Sequence, residues 1–401
     1  MKVLIEKGKA FGTVTAPPSK SYAHRMMICA ALASGRSVIR GVSESEDMLA
    51  TLDCISALGA KYVRDGDTVC IDGVAVSDGE IKKYRCRESG STFRFFIPVA
   101  MLFGKASEFY GSERLMERGA AVYKDVFANR DVSFVQTAEK LTVSGTLESG
   151  NYTVDASISS QFISGLLFAL PLADGDSTIT LIPPVESKNY IDITVDVLSK
   201  FGIEILYEGN TLKIKGRQKY IPQDVTVEGD ASNAAFLDAL NFVGGNVTVK
   251  GLERESKQGD SVYNECFAKL KSGKEVIDLK DTPDLAPMLF ALAASENGGV
   301  FTGTRRLRIK ESDRAAVMAE ELAKLGVCVT VEENSVSVDP RGFGKPTVTL
   351  DGHNDHRIVM SLAVLLTLFG GVIDGAQAVR KSYPNFFDDL RKLGITVKEI
   401  D

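Results

Sequence analysis

The chain has 401 residues, about 2.7 times an ordinary domain of roughly 150, so two or three domains with sizeable cores are expected and a disulfide-stapled miniprotein is excluded. Hydrophobic residues make up 44% and charged residues 25%, with no low-complexity segment, which leaves little room for long disorder. Forty-seven basic against fifty-three acidic residues give a net charge of −6. A duplex-coating protein carries a basic excess, so nucleic acid is not an expected partner.

The first twenty residues contain only the short apolar run Val3 to Ile5, flanked by Lys and Pro, which fits no secretory signal. The longest apolar stretch, Ile358 to Ile373, is sixteen residues and includes Ser361, Thr367, Gly370 and Gly371. It reads as a buried helix too short to span a bilayer, so no membrane association is expected. Cys29, Cys54, Cys70, Cys86, Cys266 and Cys328 are scattered with no CxxC pair. They read as reduced core thiols of a cytoplasmic protein.

An internal repeat organises the sequence. Six times a small or polar cluster is followed at once by an Ala/Leu-rich run ending in Gly: Lys20 to Gly35, Gly90 to Gly104, Ser159 to Gly175, Asp230 to Gly244, Asp284 to Gly298 and Asp355 to Gly370. Successive starts differ by 70, 69, 71, 54 and 71 residues. Behind most runs a second helix ends at a Gly followed by a strand, as in Asp47 to Leu58, Asp192 to Phe201, Arg314 to Leu325 and Phe386 to Leu393. Each unit therefore reads as strand, helix, strand, helix, strands. Six copies predict an α/β protein of two similar domains with three units apiece. Helix starts that point one way would turn their unpaired N–H groups toward a common cleft, which favours anions.

The residues at those starts carry more chemistry than capping needs. In Pro17-Pro18-Ser19-Lys20-Ser21-Tyr22-Ala23-His24-Arg25 the prolines fix an extended entry, Ser21 can cap, and Lys20 and Arg25 bring cations to a positive helix end. Each cation there opposes the helix dipole unless an anion binds. Gly90 in Glu88-Ser89-Gly90-Ser91-Thr92-Phe93-Arg94 permits close approach of a ligand or of a neighbouring backbone, and a structural cap reads equally well. Arg114 and Arg118 fit an ordinary solvated face. Ser157-Ile158-Ser159-Ser160-Gln161 and Ser187-Lys188-Asn189-Tyr190 offer neutral hydrogen-bonding groups that serve as caps or as ligand contacts.

The C-terminal half supplies charge. Thr282-Pro283-Asp284 places a carboxylate at a helix start, where it could cap. Arg306 to Arg314 alternates sign so densely that a surface ion-pair ladder is one reading. Asn354-Asp355-His356-Arg357 runs straight into an apolar helix, a place for polar residues only when something polar faces them. Lys381 is an isolated base. Only His24, His353 and His356 are present, without a Cys at ligand spacing, and no GxxxxGK[ST], GxGxxG or GxSxG occurs. No metal or cofactor is expected.

Together these segments resemble the enolpyruvyl transferase family, and within it the branch acting on shikimate 3-phosphate. The resemblance runs from Pro17 to Pro384 and rests on Pro18-Ser19-Lys20-Ser21 with Arg25, Ser159-Ser160-Gln161, Tyr190-Ile191-Asp192-Ile193-Thr194, Glu228-Gly229-Asp230-Ala231-Ser232, Lys310-Glu311-Ser312-Asp313-Arg314 and Asn354-Asp355-His356-Arg357. It implies two domains of three βαβαββ units, one of residues 19–228, the other of 1–18 with 229–401, and an active site in the cleft between them. It implies transfer of the enolpyruvyl group of phosphoenolpyruvate to the 5-hydroxyl of shikimate 3-phosphate with release of phosphate, by a monomer without cofactor.

By the same resemblance Lys20, Gly90, Arg94, Arg114, Gln161, Arg314, Arg357 and Lys381 surround phosphoenolpyruvate. Lys20, Ser21, Arg25, Ser159, Ser160, Gln161, Ser187, Tyr190, Asp284 and Lys310 hold shikimate 3-phosphate. Asp284 matches the usual base position, Glu311 suits proton traffic at the methylene carbon, and Lys20 and His356 are possible participants. Two departures stand out: Glu88 and Arg306 each replace a customary Asn. A branch acting on UDP-N-acetylglucosamine is the rival reading, but it places a Cys in a mobile loop and Asn after the first Lys, whereas Ser21 follows Lys20 and no Cys lies between Phe103 and Arg118. A non-catalytic anion binder of the same fold would have no need of Asp284 and Glu311.

Overall fold

The computed structural model describes residues 1–74, 81–103, 106–273 and 275–400. The Gly104 that ends the second predicted run lies outside them. The six apolar runs form helices Lys20–Leu32, Gly90–Phe103, Ser160–Ala169, Ala231–Phe242, Ala286–Ser295 and His356–Phe369. The differences between these starts are 70, 70, 71, 55 and 70 residues. They are buried on nearly every face, the environment that an all-round apolar helix requires.

The repeat is explicit in the sheets. Lys82–Arg87 runs parallel to Ala106–Gly111 across the Gly90–Phe103 helix, and Ala106–Gly111 then pairs antiparallel with Lys140–Gly145, which pairs with Val132–Gln136. Gly150–Asp155, Ser177–Ile182, Thr211–Ile214 and Ile205–Glu208 repeat that order. So do Val276–Asp278, Gly299–Thr302, Ser335–Asp339 and Cys328–Val331. Among the described residues, the one two-stranded sheet is Phe11–Thr15 with Asn246–Lys250. Its repeat passes from the Tyr263–Ser272 helix directly to Val276–Asp278 without a hairpin, and this accounts for the short spacing in the sequence.

The chain divides into two compact units, one of Pro18–Glu228 and one of Met1–Pro17 with Gly229–Asp401. Each unit has its own hydrophobic cluster. In the second, Lys2–Ile5 lies between Gly371–Asp374 and Val397–Ile400 and pairs antiparallel with both.

Four local expectations change. Ser19, not Ser21, occupies the cap position of the first helix, without a side-chain cap bond, two residues earlier and directly after the extended Pro17-Pro18 entry. Asp284 is not a cap, since the Ala286 helix starts after Leu285. Arg306 and Arg314 are buried, so the Arg306–Arg314 segment is no surface ladder. Cys328 is exposed and Cys70 half-buried, because both alternate outward on strands; the other four cysteines are core thiols.

Helix packing is closest at Gly165, where an added Cβ would lie 2.6 Å from the Arg94 carbonyl oxygen and 2.2 Å from the Tyr123 hydroxyl. That hydroxyl donates to the Arg94 and Phe162 carbonyls at 2.9 and 3.0 Å. Gly165→Ala is expected to destabilise the protein by roughly 1–3 kcal/mol through overpacking, read as a lower denaturant midpoint at unchanged m-value.

Candidate functional site

In the Pro18–Glu228 unit the starts of three repeat helices lie side by side. Gln161 donates to Ser91 Oγ at 2.9 Å and accepts from Arg94 Nη1 at 2.6 Å, which links the second and third starts. The first and second are linked beneath the surface: His24 Nδ1 meets Thr51 Oγ1 at 2.7 Å, Thr51 meets Thr92 at 2.8 Å, and Thr92 donates to Ser89 at 2.8 Å. Burial, reinforced by the Lys20 and Arg25 charges, holds the His24 imidazole well below its usual pKa, so it is neutral. Lys20 Nζ reaches Asp47 Oδ2 at 2.8 Å, with both side chains mostly covered.

Arg94 is buried, donates to the Arg118 carbonyl at 3.2 Å, and lays its guanidinium over the Phe162 ring at 4.9 Å. Ser159 acts as a cap, accepting from the Gln161 amide at 3.3 Å; Ser160 is buried beside it. Ser187 takes the left-handed conformation, φ 54°, at the start of the Lys188–Lys200 helix. Arg25 ties these parts together by donating to the Ser21 carbonyl at 2.7 Å, the Tyr190 carbonyl at 3.0 Å and Thr194 Oγ1 at 2.8 Å. Burial lowers its pKa to about 10, which leaves it charged at neutral pH. It therefore positions Ser21 and Tyr190 from below.

Arg114 and Arg118 separate cleanly. Arg114 is exposed and pairs with Glu117 at 3.2 Å. Arg118 is half-buried with its guanidinium against Gly90, where an added Cβ would sit 2.9 Å from Nη2. The resemblance implied Arg114; the two lie four residues apart on the Glu113–Arg118 helix, and Arg118 is the one against Gly90. Glu88 is half-buried two residues before Gly90.

In the other unit a buried ionic cluster forms. Asp284 accepts from Lys310 Nζ at 3.1 Å, Arg314 Nη1 at 2.8 Å and Arg357 Nη2 at 2.9 Å. Arg314 is 1% exposed and reaches Glu311 through Nη2 and Asp355 through Nε, each at 2.9 Å. Asp355 caps the His356 helix by accepting from the Arg357 amide at 3.0 Å. Burial would push the Asp355 carboxyl up, but Arg314 prevails and holds it below the ordinary range. Burial lowers the Lys310 ammonium against the pull of Asp284. His356 is buried at the helix start, and Lys381 Nζ donates to the Asn354 carbonyl at 2.5 Å. Arg306 donates to the Lys280 carbonyl at 2.6 Å.

Among the described residues one group, Glu320, Glu321 and His353, has ligand atoms close enough to hold a cation. Lys324 pairs with both carboxylates there, at 3.4 and 2.7 Å. No helix among the described residues is long and apolar enough to cross a membrane.

Both units thus gather cations and carboxylates at helix starts. Residues 5–390 match the family described as EPSP synthase (3-phosphoshikimate 1-carboxyvinyltransferase). The chain belongs to that family. The 3-phosphoshikimate 1-carboxyvinyltransferase of Clostridium kluyveri is 38% identical over 99% of this chain and 98% of that protein. The one from Clostridium acetobutylicum is 38% identical over 97% and 96%. In fold, the chain is similar to EPSP synthase from Acinetobacter baumannii, TM-score 0.75 at 23% identity over the full length of both. It is also similar to the enolpyruvyl transferase NikO from Streptomyces tendae, TM-score 0.78 at 16% identity over 99% and 98%.

Arg314→Met would leave Asp284, Glu311 and Asp355 without their shared partner. The expected loss is about 3–5 kcal/mol of stability, the usual consequence of removing one member of a buried ion pair, measured by chemical denaturation.

Proposed function

We propose that the chain transfers the enolpyruvyl group of phosphoenolpyruvate to the 5-hydroxyl of shikimate 3-phosphate, releasing phosphate on the route to chorismate and the aromatic amino acids. The observation that carries the reading is the Asp284 cluster, in which one carboxylate receives three cationic donors. Two substrates that each bear a carboxylate and a phosphate bring about six negative charges, and guanidinium and ammonium groups at helix starts are suited to them.

Lys20, Gly90, Arg94 and Gln161 from one unit, with Arg314, Arg357 and Lys381 from the other, take phosphoenolpyruvate. Arg118 replaces Arg114 in this set, because it is the arginine held against Gly90. Lys20, Ser21, Ser159, Ser160, Gln161, Ser187 and Tyr190, with Asp284 and Lys310, take shikimate 3-phosphate, and Arg25 holds Ser21 and Tyr190 in place. Neither unit alone carries the full set.

Asp284 is the base for the 5-hydroxyl. Substrate anions compete with it for Lys310, Arg314 and Arg357, and each bond they loosen raises its proton affinity. Glu311 serves proton traffic at the methylene carbon, with Lys20 and His356 as further participants. Addition of the hydroxyl oxygen to the enol carbon with protonation of the methylene gives a tetrahedral intermediate. Loss of phosphate and of one methyl proton restores the double bond. One chain supplies both sets of residues, which supports a monomer.

Phosphate release from phosphoenolpyruvate is expected only when shikimate 3-phosphate is present, and release that ignores it, or needs UDP-N-acetylglucosamine, overturns the reading. Asp284→Ala is expected to lower kcat by about 10²–10⁴-fold, the usual contribution of a positioned base. Gly90→Ala, by pushing Arg118 aside, raises KM for phosphoenolpyruvate. Glu88→Asn removes a carboxylate near the same place and lowers that KM. Both are read from steady-state kinetics at saturating shikimate 3-phosphate.

A further inference from the structure

Asp260 lies behind the Asp284 cluster. It sits on the 3₁₀ turn Gly259–Val262 that leads into the Tyr263–Ser272 helix, and it is 3% exposed. Its Oδ2 accepts from Ser232 Oγ in the first turn of the Ala231 helix. Its Oδ1 is buried with no hydrogen-bond partner. The turn is held firmly, because Gln258 accepts from the Ala231 amide at 3.0 Å and donates to the Gly229 carbonyl at 2.7 Å. An ionised carboxylate with one oxygen buried and unbonded is costly, and a neutral carboxyl is far less so.

The charges facing it are known from every packed side. Asp230 belongs to the Ala231 helix start, Asp284 precedes the Ala286 helix, Arg357 opens the His356 helix, and Cys266 lies on the Tyr263 helix. Burial, then Asp284, push the Asp260 carboxyl up to about 7, against the opposing pull of Arg357. The cluster in front of it contains the cations Lys310, Arg314 and Arg357 and the carboxylates Asp284, Glu311 and Asp355. Three against three is neutral, His356 aside. Ionisation of Asp260 would leave that group one negative charge in excess.

We propose that Asp260 is a positioning residue that acts through its proton: neutral, it leaves the positive charge of Arg357 and its neighbours undiminished toward the anionic groups of phosphoenolpyruvate, and ionised, it draws on Arg357 and opposes those groups. Its effect falls on binding at alkaline pH and not on the chemical step. The sign follows from the carboxyl's position: below neutrality the proton is on and binding is strong, and as pH rises through about 7 the proton leaves and KM climbs. This inference rests on the transferase reading above.

The test is the pH profile of KM for phosphoenolpyruvate at saturating shikimate 3-phosphate, for the wild type and for Asp260→Asn. Substrate ionisation is common to both proteins and cancels in their ratio. In the wild type KM is expected to rise about tenfold from about pH 6 to about pH 8.5, equivalent to a one-unit change in the Asp260 pKa on binding. In Asp260→Asn that rise is abolished. Ser232→Ala removes a donor that favours the ionised form, so the rise moves to higher pH, and this variant decides the matter if the Asn protein does not fold. An alkaline rise of the same size and midpoint in wild type and both variants, or no rise in the wild type, overturns the proposal while leaving the transferase reading intact. Wild-type protein that releases no phosphate at any pH removes that reading and this one with it.

Discussion

A single guanidinium organises one half of the molecule. Arg314 is almost wholly withdrawn from water and touches Asp284, Glu311 and Asp355, which come from three different places in the chain. Burying such a charge is tolerable only when its donors are all directed at carboxylates, and that demand fixes how the Arg314, Ala286 and His356 helix starts meet. The same bonds hold Asp284 and Glu311 at set positions beside Lys310 and Arg357. Stability and chemistry thus draw on the same contacts.

The Pro18–Glu228 unit solves the equivalent problem with neutral groups. Its helix starts are joined by a chain of hydroxyls and a neutral imidazole from His24 through Thr51 and Thr92 to Ser89, and by the Gln161 amide. Cations are few, and each has a defined seat: Lys20 at Asp47, Arg94 over Phe162, Arg25 beneath Ser21. The contrast suits a pair of anionic metabolites with many hydroxyl and phosphate oxygens, where one region supplies hydrogen bonds and the other charge.

The repeat was readable in the sequence because each helix is buried on nearly every face, so that composition alone marks it, and because a Gly follows each run within a few residues. Even the irregular spacing between Asp230 and Asp284 carried information, since a missing hairpin shortens the chain there. Residue type and position marked polar groups at helix starts, and the structure brings Gln161 to Ser91 and Arg94, and Arg357 to Asp284. Arg114 and Arg118 could not be told apart from the sequence. Two arginines four residues apart share a helix face, and which of them packs inward depends on Arg94 donating to the Arg118 carbonyl, a contact across twenty-four positions of sequence. Asp260 was silent for the same reason: nothing in Gln258-Gly259-Asp260 shows that Ser232, Asp284 and Arg357 will surround it. Cys328 looked like a core thiol because its neighbours are apolar, but strand alternation turned it outward.

The strand Lys2–Ile5 lies between Gly371–Asp374 and Val397–Ile400. During synthesis the ribosome makes that strand before the Pro18–Glu228 unit and its two partners after it. The Pro18–Glu228 unit has all its own strands as soon as Thr226 has emerged. The other unit must wait, its Lys2–Ile5 strand unpaired, until Gly371–Asp374 and Val397–Ile400 have been translated. Vectorial production therefore imposes an order, the inserted unit first and the enclosing unit second, and leaves a nascent β-edge exposed throughout that interval.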